Sequence, residues 1–549
     1  MPKLTLPQML AQRISEGLHR GSIRSCSRWA EEYRMMVSPT GPQPWSFQQF
    51  PWLEEMHNSE NELNIGQKAA QVGFTEMCLN RCFYVIDAKG TSVLYVLPTE
   101  GDSSDFSSSR FDPALEMSPH LQKLFSDVKN ISHKRAGGSS LFVRGSKSKS
   151  KLKSLPVGQM FFDEVDEMDE ANITLAFERM SGQIKRQAWM ISTPTIEGKG
   201  INKFFQNSSQ NHYFFKCPHC SKMTELTFPE CMVITGESAN DPQLVNTYLV
   251  CKECQGRLEH SQKQEIFKTG QWVPSIQESL TQGYHINQLY SCRLDPWKIA
   301  QLYLTSLTNA TDEQEFFNSK MGLPHAVKGA QLTETEIDEC IGGYTSHQFS
   351  PPNSFVTMGV DVGTWIHYEI DQFTFKKQAT TQDINLLTEC RVLMEGKVKN
   401  FEELDELMTR YQVIHCVIDN QPDTRKALEF AGRFEGIVHL CIYGNGTRGK
   451  NITVHPNEPK VTVDRTNWLD VSLSRFRQGT IKLPVNTSPE YKSHMTAPVR
   501  VYKRDNNGNA YGCYENTKND HFAHARNYAE IALQLGAGAY SSVDIDSPV

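Results

Sequence analysis

At 549 residues, 38% hydrophobic and 22% charged, the chain is too long for one core and has the balance of a globular protein, which predicts about two to four domains. A net charge of −7 excludes a surface coated in basic residues, so any grip on nucleic acid has to come from local patches. Its fourteen cysteines are spread along a large chain and four of them form two C-x-x-C pairs, which reads as reduced thiols and one metal site, not a disulfide framework.

The start, MPKLTLPQML, lacks the build of a signal peptide, and no run of about eighteen apolar residues follows, so the chain is expected to stay in the cytosol. PWSFQQFPW then offers aromatics and amides of the kind that bind adenine, with Gln48 the candidate base contact and plain core packing the alternative. From about residue 60 to 200, apolar runs alternate with helical patterns: ELNIG, TEMCLNRCFYVID, TSVLYVLPTE, LPVGQMFFDE and QAWMISTPT. That alternation predicts an α/β unit with a mainly parallel sheet covered on both faces.

Within it, GQKAAQVGFTE has the small residues of a loop that cradles phosphate through backbone N–H groups. Set against G-x-x-x-x-G-K-[ST], Thr75 takes the Mg²⁺-binding hydroxyl, Gly73 the second glycine, Phe74 the lysine position and Lys68 the first glycine. The positive charge is displaced, and a lysine acts as a flexible point charge that can reach the same oxygens from the other side of the loop. An ordinary strand-turn-helix with a surface lysine is the alternative. RGSKSKSKLK follows, with Arg144, Lys147, Lys149, Lys151 and Lys153 unbalanced by acids: a backbone-gripping patch or a solvated loop. VGQMFFDEVDEMDE describes a buried strand delivering Asp163 and Glu164 at its carboxyl end, where open parallel sheets bind ligands. One acid can hold Mg²⁺ while its neighbour orients or deprotonates attacking water, whereas Asp166, Glu167, Asp169 and Glu170 read as a helix start. ISTPT ends the next run with hydroxyls, Ser192 and Thr193, placed to sense a γ-phosphate.

Cys217 and Cys220 in CPHC, with Cys251 and Cys254 in CKEC, pair two tight turns around one tetrahedral ion, predicting a closed structural Zn²⁺ site; His219 reads as a turn residue. Residues from about 261 to 350 look mostly helical, and SPPNS reads as a linker. A second alternating series follows. MGVDVG places Asp361 inside an apolar strand, CVIDNQPD repeats the arrangement with Asp419, and KNDHFAHARNYAEIAL sets Asp520 at a helix start with His524 one turn on. Carboxylates inside strands are costly unless they bind something, and the three acids, from two strands and a helix, supply the parts of a two-metal phosphodiester site. Asp423, after Pro422, reads as an N-cap or a turn former.

The ordered set PWSFQQF, K-x-x-x-x-G-F-T, FFDEVDE, STPT, paired C-x-x-C, GYHINQLYS, FFNSKMGLP, GVDVG, VIDNQPD and a late DH helix resembles the large subunit of tailed-phage DNA-packaging terminases, in particular the lambda-like group with a displaced P-loop lysine. The resemblance implies an ASCE P-loop ATPase over residues 1–205, a zinc-ribbon-like insert over 206–260, a helical linker over 261–350 and an RNase H-like endonuclease over 351–549. It implies ATP and Mg²⁺ held by Lys68, Gly73, Phe74, Thr75 and Asp163, Glu164 as catalytic base, Ser192-Thr193 as coupling motif, and nuclease Mg²⁺ or Mn²⁺ on Asp361, Asp419 and Asp520. An arginine finger is also implied, with Arg110, Arg135, Arg144 and Arg179 as candidates. Two positions depart from the family pattern: Glu76 stands where some relatives have a second basic residue, and His524 where many have another Asp. Double-stranded viral DNA, a small subunit, and a portal on a procapsid are the implied partners, with a homo-oligomeric ring acting in the host cytoplasm. The competing readings are a helicase-nuclease of repair or restriction, which needs a second RecA-like lobe, and a zinc-bearing portal-docking protein with an inactive P-loop.

Overall fold

The apolar runs of the first series become parallel strands whose alternate residues feed two separate cores. In the computed structural model, which describes residues 25–540 except 39–40, 127, 149–151, 153–154, 349–353, 377–383, 445–451 and 505–508, the chain divides into two units between His325 and Ala326. The first unit contains β1 (Leu63–Lys68), helix α1 (Phe74–Lys89), β2 (Val93–Leu97), β3 (Ser139–Gly145), β4 (Gln159–Asp163), β5 (Gln187–Ser192), helix α2 (Gly200–Gln206), β6 (Asn211–Lys216) and β7 (Thr281–Ile286). Their order across the sheet is β6-β7-β1-β5-β4-β2-β3, every neighbouring pair parallel. Tyr95, Phe161 and Trp189 join the core under α1, while Leu94, Met160, Phe162 and Met190 join the one containing Ile201 and Phe205 of α2. Burial on both faces explains why these strands read as unbroken apolar runs. One strand, β5, stands between the strand leading into the glycine turn and the strand ending in Asp163, as an ASCE arrangement requires.

The cysteine module interrupts this sheet without ending it. Short strands Met232–Val233, Tyr248–Val250 and Arg257–Leu258 pair among themselves, after which the chain returns to lay β7 beside β1, from Thr281↔Leu63 to Ile286↔Lys68. The stretch read as mostly helical therefore also supplies a strand of the main sheet, together with Gln271–Pro274 on β6. Its helical pattern is real over Pro296–Ser306 and Ala310–Glu315, but GYHIN is buried beside β1 and reads as apolar for that reason. Residues 350–353 of the expected linker, and Lys149, Lys151 and Lys153 of the basic run, lie outside the described residues.

The second unit is built on β8 (Ser354–Val362), β9 (Ile366–Phe375), β10 (Thr388–Val398), β11 (His415–Asp419), β12 (Val438–Tyr443) and β13 (Lys460–Val463), with helices α3 (Arg465–Arg477) and α4 (His521–Tyr540). The order β13-β12-β11-β8-β9-β10, with β9 antiparallel to both neighbours, is the RNase H-like arrangement. Helix α4 lies close against β8 because Gly359 has no side chain: a Cβ there would stand 1.9 Å from the Ala525 carbonyl oxygen. Thr357 Oγ1 donates to the Ala529 carbonyl, 2.9 Å, fixing the same crossing.

Behind this contact sits a fully buried charge network. Arg526 pairs with Asp371 and Glu530, and Arg475 reaches Glu530 with Nε and Nη2 at 2.7 Å while Nη1 donates to the Thr388 carbonyl. Burial, with Asp371 beside it, pushes the Glu369 carboxyl well above the usual range. Removing one partner strands the others in a dry interior, a loss of about 3–5 kcal/mol. Glu530→Ala is expected to lower the stability of the second unit by about that much, read as a fall in the urea midpoint of its unfolding. A change under about 1 kcal/mol, the size of a surface pair, would contradict this assignment.

Candidate functional site

The glycine turn follows β1 directly, and its local packing explains why no lysine stands at position 74. Phe74 is 1% exposed and lies beneath Gly66, where an added Cβ would come within 2.7 Å of its ring. Gly73 takes φ +87 with Leu53 against it, a conformation and a space that suit glycine alone. The charge sits instead on Lys68, the last residue of β1, whose Nζ donates to Glu164 Oε1 at 3.1 Å. Burial works against the Lys68 ammonium, but Glu164 and Asp163 outweigh it and raise its pKa above the ordinary lysine value. Two walls hold the turn: Ala69 N–H donates to the Ile286 carbonyl and Ala70 N–H to the Ser319 carbonyl, while Gln288 donates to Ala70 O. The unpaired N–H groups of the first turn of α1 lie just beyond.

Asp163 ends β4, 2% exposed, and accepts the Tyr95 hydroxyl at 2.7 Å. Burial, then Glu164 beside it, pushes its carboxyl up to about 6 despite Lys68, Tyr95 and Thr75. Thr75 is thus close enough to favour the charged form, yet Asp163 Oδ1 is buried without a normal hydrogen bond, a donor atom that suits a divalent cation between it and the hydroxyl. Glu164 adopts φ +63, rare outside glycine, which turns its side chain toward Lys68 and Ser192. Ser192 Oγ lies 3.4 Å from Glu164 Oε2, donates to Thr193 O, and accepts the Asp166 N–H. Asp166 does stand in the first turn of a short 3-10 helix, Val165–Glu167, but its carboxylate reaches further, holding the N–H groups of Thr195, 2.8 Å, and Ile201, 2.7 Å, and joining the STPT segment to α2. Asp169 does cap the helix that follows.

Other expected groups fall elsewhere. Gln48 is exposed and borders a cavity of about 500 Å³ with Glu31, Glu54 and Glu55, while its neighbours make the contact with the turn: Trp52 Nε1 donates to Val72 O at 3.0 Å. Glu76 is neutralised by Arg34 at 3.0 Å and Arg110 at 3.6 Å, so two arginines stand near the start of α1. Arg135 and Arg144 bond backbone carbonyls of their own hairpin.

Cys217, Cys220, Cys251 and Cys254 converge, their sulfurs all within 4.8 Å of one another. Each pair is a copy of the same turn: Ser221 and Gln255 have φ +61 and +57, and their N–H groups return to Cys217 O and Cys251 O. Four thiols in mirrored turns fit tetrahedral Zn²⁺ with no open position. His219 Nε2 donates to the Arg257 carbonyl at 2.7 Å, which occupies it away from the sulfurs.

In the second unit, Asp361, next to last in β8, and Asp419, last in the parallel neighbour β11, each stand one residue beyond the pair Val360↔Ile418. Burial raises the Asp419 carboxyl to about 6, with the nearby Asp361 charge adding to it and the Gln421 N–H, which donates to Oδ1, working against it. Asp520 does not join them as a bare third acid: His524 Nε2 stands 3.2 Å and Arg465 3.8 Å from its carboxylate, and these hold its pKa down against burial. His524 Nδ1 is turned to the Tyr443 hydroxyl. The group that reaches Asp361 is His521, Nδ1 to Oδ2 at 2.8 Å, with His367 stacked on it. Neither histidine was visible as functional in the sequence; the signal for His521 was its place beside Asp520. Asp423 caps the helix Thr424–Arg433.

Two family models match in tandem: phage terminase large subunit gpA, ATPase domain, over residues 40–272, and terminase large subunit gpA, endonuclease domain, over residues 281–537. They meet before β7, whereas the units divide after His325, because β7 is a strand of the first sheet. Among curated relatives, the terminase large subunit of Escherichia phage lambda is 20% identical over 63% of this chain, and that of Enterobacteria phage P21 is 21% identical over 54%. The chain matches 59% and 52% of those two proteins' own lengths. A crystal structure of the HK97 bacteriophage large terminase superposes with TM-score 0.49 and 9% identity, covering 93% of this chain and 98% of that one. Among the described residues no helix is long and apolar enough to cross a membrane.

Elemental analysis of the purified chain is expected to find one zinc, lost in Cys220→Ser and Cys254→Ser together with a drop of several degrees in melting temperature. Unchanged melting in both variants would remove the metal from the account.

Proposed function

The chain belongs to the phage terminase large subunit gpA family, with that family's ATPase and endonuclease domains in tandem, and from this premise we propose that it couples ATP hydrolysis to movement of double-stranded DNA into a procapsid and cuts concatemeric DNA by metal-activated water. The observation that carries the motor half is the convergence of Lys68, Thr75, Asp163 and Glu164 at one end of the parallel sheet. The small subunit and a portal are the proposed partners, a ring the working assembly, and the host cytoplasm the place.

In the motor, Lys68 would leave Glu164 for the β- and γ-phosphate oxygens, since an ammonium moves to the greater negative charge. Glu164 is thereby freed to orient and deprotonate water, and Asp163 and Thr75 hold Mg²⁺, which when bound neutralises the phosphate oxygens. Because Ser192 bridges Glu164 and the Asp166 N–H, while Asp166 holds Thr195 and α2, a shift at Glu164 has a hydrogen-bonded route into the STPT segment. Asn318 donates to Thr195 O at 2.6 Å and His325 N–H to the same carbonyl, which continues that route. Arg110, beside Glu76, is the finger candidate best placed near the turn.

In the nuclease, Asp361 and Asp419 would hold the divalent metal that activates water and clamps the phosphodiester. DNA contacts are assigned to the sugar-phosphate backbone, through local basic groups such as Lys147 and Arg144, which suits a chain of net charge −7.

Glu164→Gln is expected to reduce ATP turnover by about 100-fold or more while Mn²⁺-dependent cutting of plasmid DNA persists, and Asp361→Ala to do the reverse. Survival of both activities in both variants would overturn the assignment.

A further inference from the structure

The turn between β8 and β9 brings Asp361 directly opposite His367, and the first residue of α4, His521, reaches the same point from the other side. Ligand atoms of the three lie within 4.8 Å of one another. His521 Nδ1 is 2.8 Å from Asp361 Oδ2, and the two imidazoles stack at 4.6 Å between centroids with 10° between planes. His367 is 4% exposed, and its Nδ1 is buried with no hydrogen-bond partner, whereas Nε2 faces the Glu490 carboxylate 4.0 Å away. An imidazole with one nitrogen toward a carboxylate and the other bare and buried beside further donors is arranged as metal-ligating histidines are. Glu490 is itself held by Lys397 at 2.7 and 2.8 Å, so the ring's outer partner is fixed.

We propose that Asp361, His367 and His521 form a nitrogen-rich site for a first-row transition ion of the Mn²⁺ and Co²⁺ class, alongside the oxygen-rich position between Asp361 and Asp419. The inference rests on the nuclease reading for the second unit and deepens it by assigning the metal class. Two imidazoles and one carboxylate with open positions suit transition metals, while Mg²⁺ prefers oxygen and keeps its waters. Ligands each about 2.1 Å from an ion and at right angles are about 3 Å apart, so the spacing of Asp361 and His521 needs little change to accept one. Asp520 is left with His524 and Arg465, which explains how the helix start can carry three polar residues with different tasks.

The geometry depends on the backbone. Hairpin register sets Asp361 against His367, and the missing side chain at Gly359 lets α4 come close enough for His521 to complete the set.

The test uses the full chain with its zinc in place, no nucleotide, and Mn²⁺ alone as probe. Pulsed electron paramagnetic resonance is expected to show imidazole nitrogen coupled to the bound ion. The coupling should weaken in His367→Gln and in His521→Gln and vanish in the double variant, with Mn²⁺ affinity about tenfold lower in each single variant. Mn²⁺ bound with no nitrogen coupling, coupling that survives the double variant, or no binding without nucleotide would each overturn the inference. His521→Gln guards against misfolding, since that residue is partly exposed whereas His367 is buried. The nuclease reading fails separately: nitrogen-coupled Mn²⁺ in a wild-type chain that never nicks plasmid DNA supports the site and removes the activity, while nicking with oxygen-only Mn²⁺ removes the site alone.

Discussion

A buried ammonium must be paired, and the first unit is arranged around that requirement. Lys68 is 6% exposed at the end of β1, and without a carboxylate within reach its charge would be untenable there. Glu164 supplies the partner at 3.1 Å, and it can do so because its left-handed backbone turns it away from Asp163 and toward β1. The pairing would also restrain Glu164 in its proposed role as base, since Oε1 is taken up by the Lys68 ammonium. On the proposed reading, nucleotide phosphates and Glu164 would compete for one amine, which would tie readiness for hydrolysis to occupancy without any further device. The position usually given to lysine is filled by Phe74, whose ring locks the start of α1 under Gly66, so the same relocation that moves the charge strengthens the core.

The second unit solves a related problem at a different depth. Asp361 lies in a strand, and its neighbours are Asp419 from one side and His367 with His521 from the other. Everything that brings α4 into place bears on this point: Gly359, the Thr357 hydroxyl, and the buried Arg475, Arg526 and Glu530 cluster. A network of that kind is seldom the most stable choice for a core, but it fixes one orientation of the helix. The result is a rigid helix start carrying Asp520 and His521 against the strand ends.

Much of this could be read from the chain. Strands buried on both faces announce themselves as apolar runs, acids at their ends stand out because they interrupt those runs, and paired C-x-x-C turns need no tertiary information. Lys68 was legible as a displaced charge, and Asp423 as a cap. What the sequence concealed depends on contacts across long separations. His367 is one residue in an ordinary strand until hairpin register sets it opposite Asp361, and Asp166 looks like any acid near a helix start until Thr195 and Ile201 fold onto it. Strand β7 was hidden among helices because its partner, β1, lies more than two hundred residues earlier. The same separation hid the walls of the glycine turn, at Ile286 and Ser319.

The competition for Lys68 is the central claim, and a structure of the full chain with Mg²⁺ and a non-hydrolysable ATP analogue tests it directly. The account predicts Nζ within about 3 Å of a β- or γ-phosphate oxygen and Glu164 released to face the terminal phosphate. A bound triphosphate with Lys68 still on Glu164, its charge met by Arg34 or Arg110 instead, would contradict it.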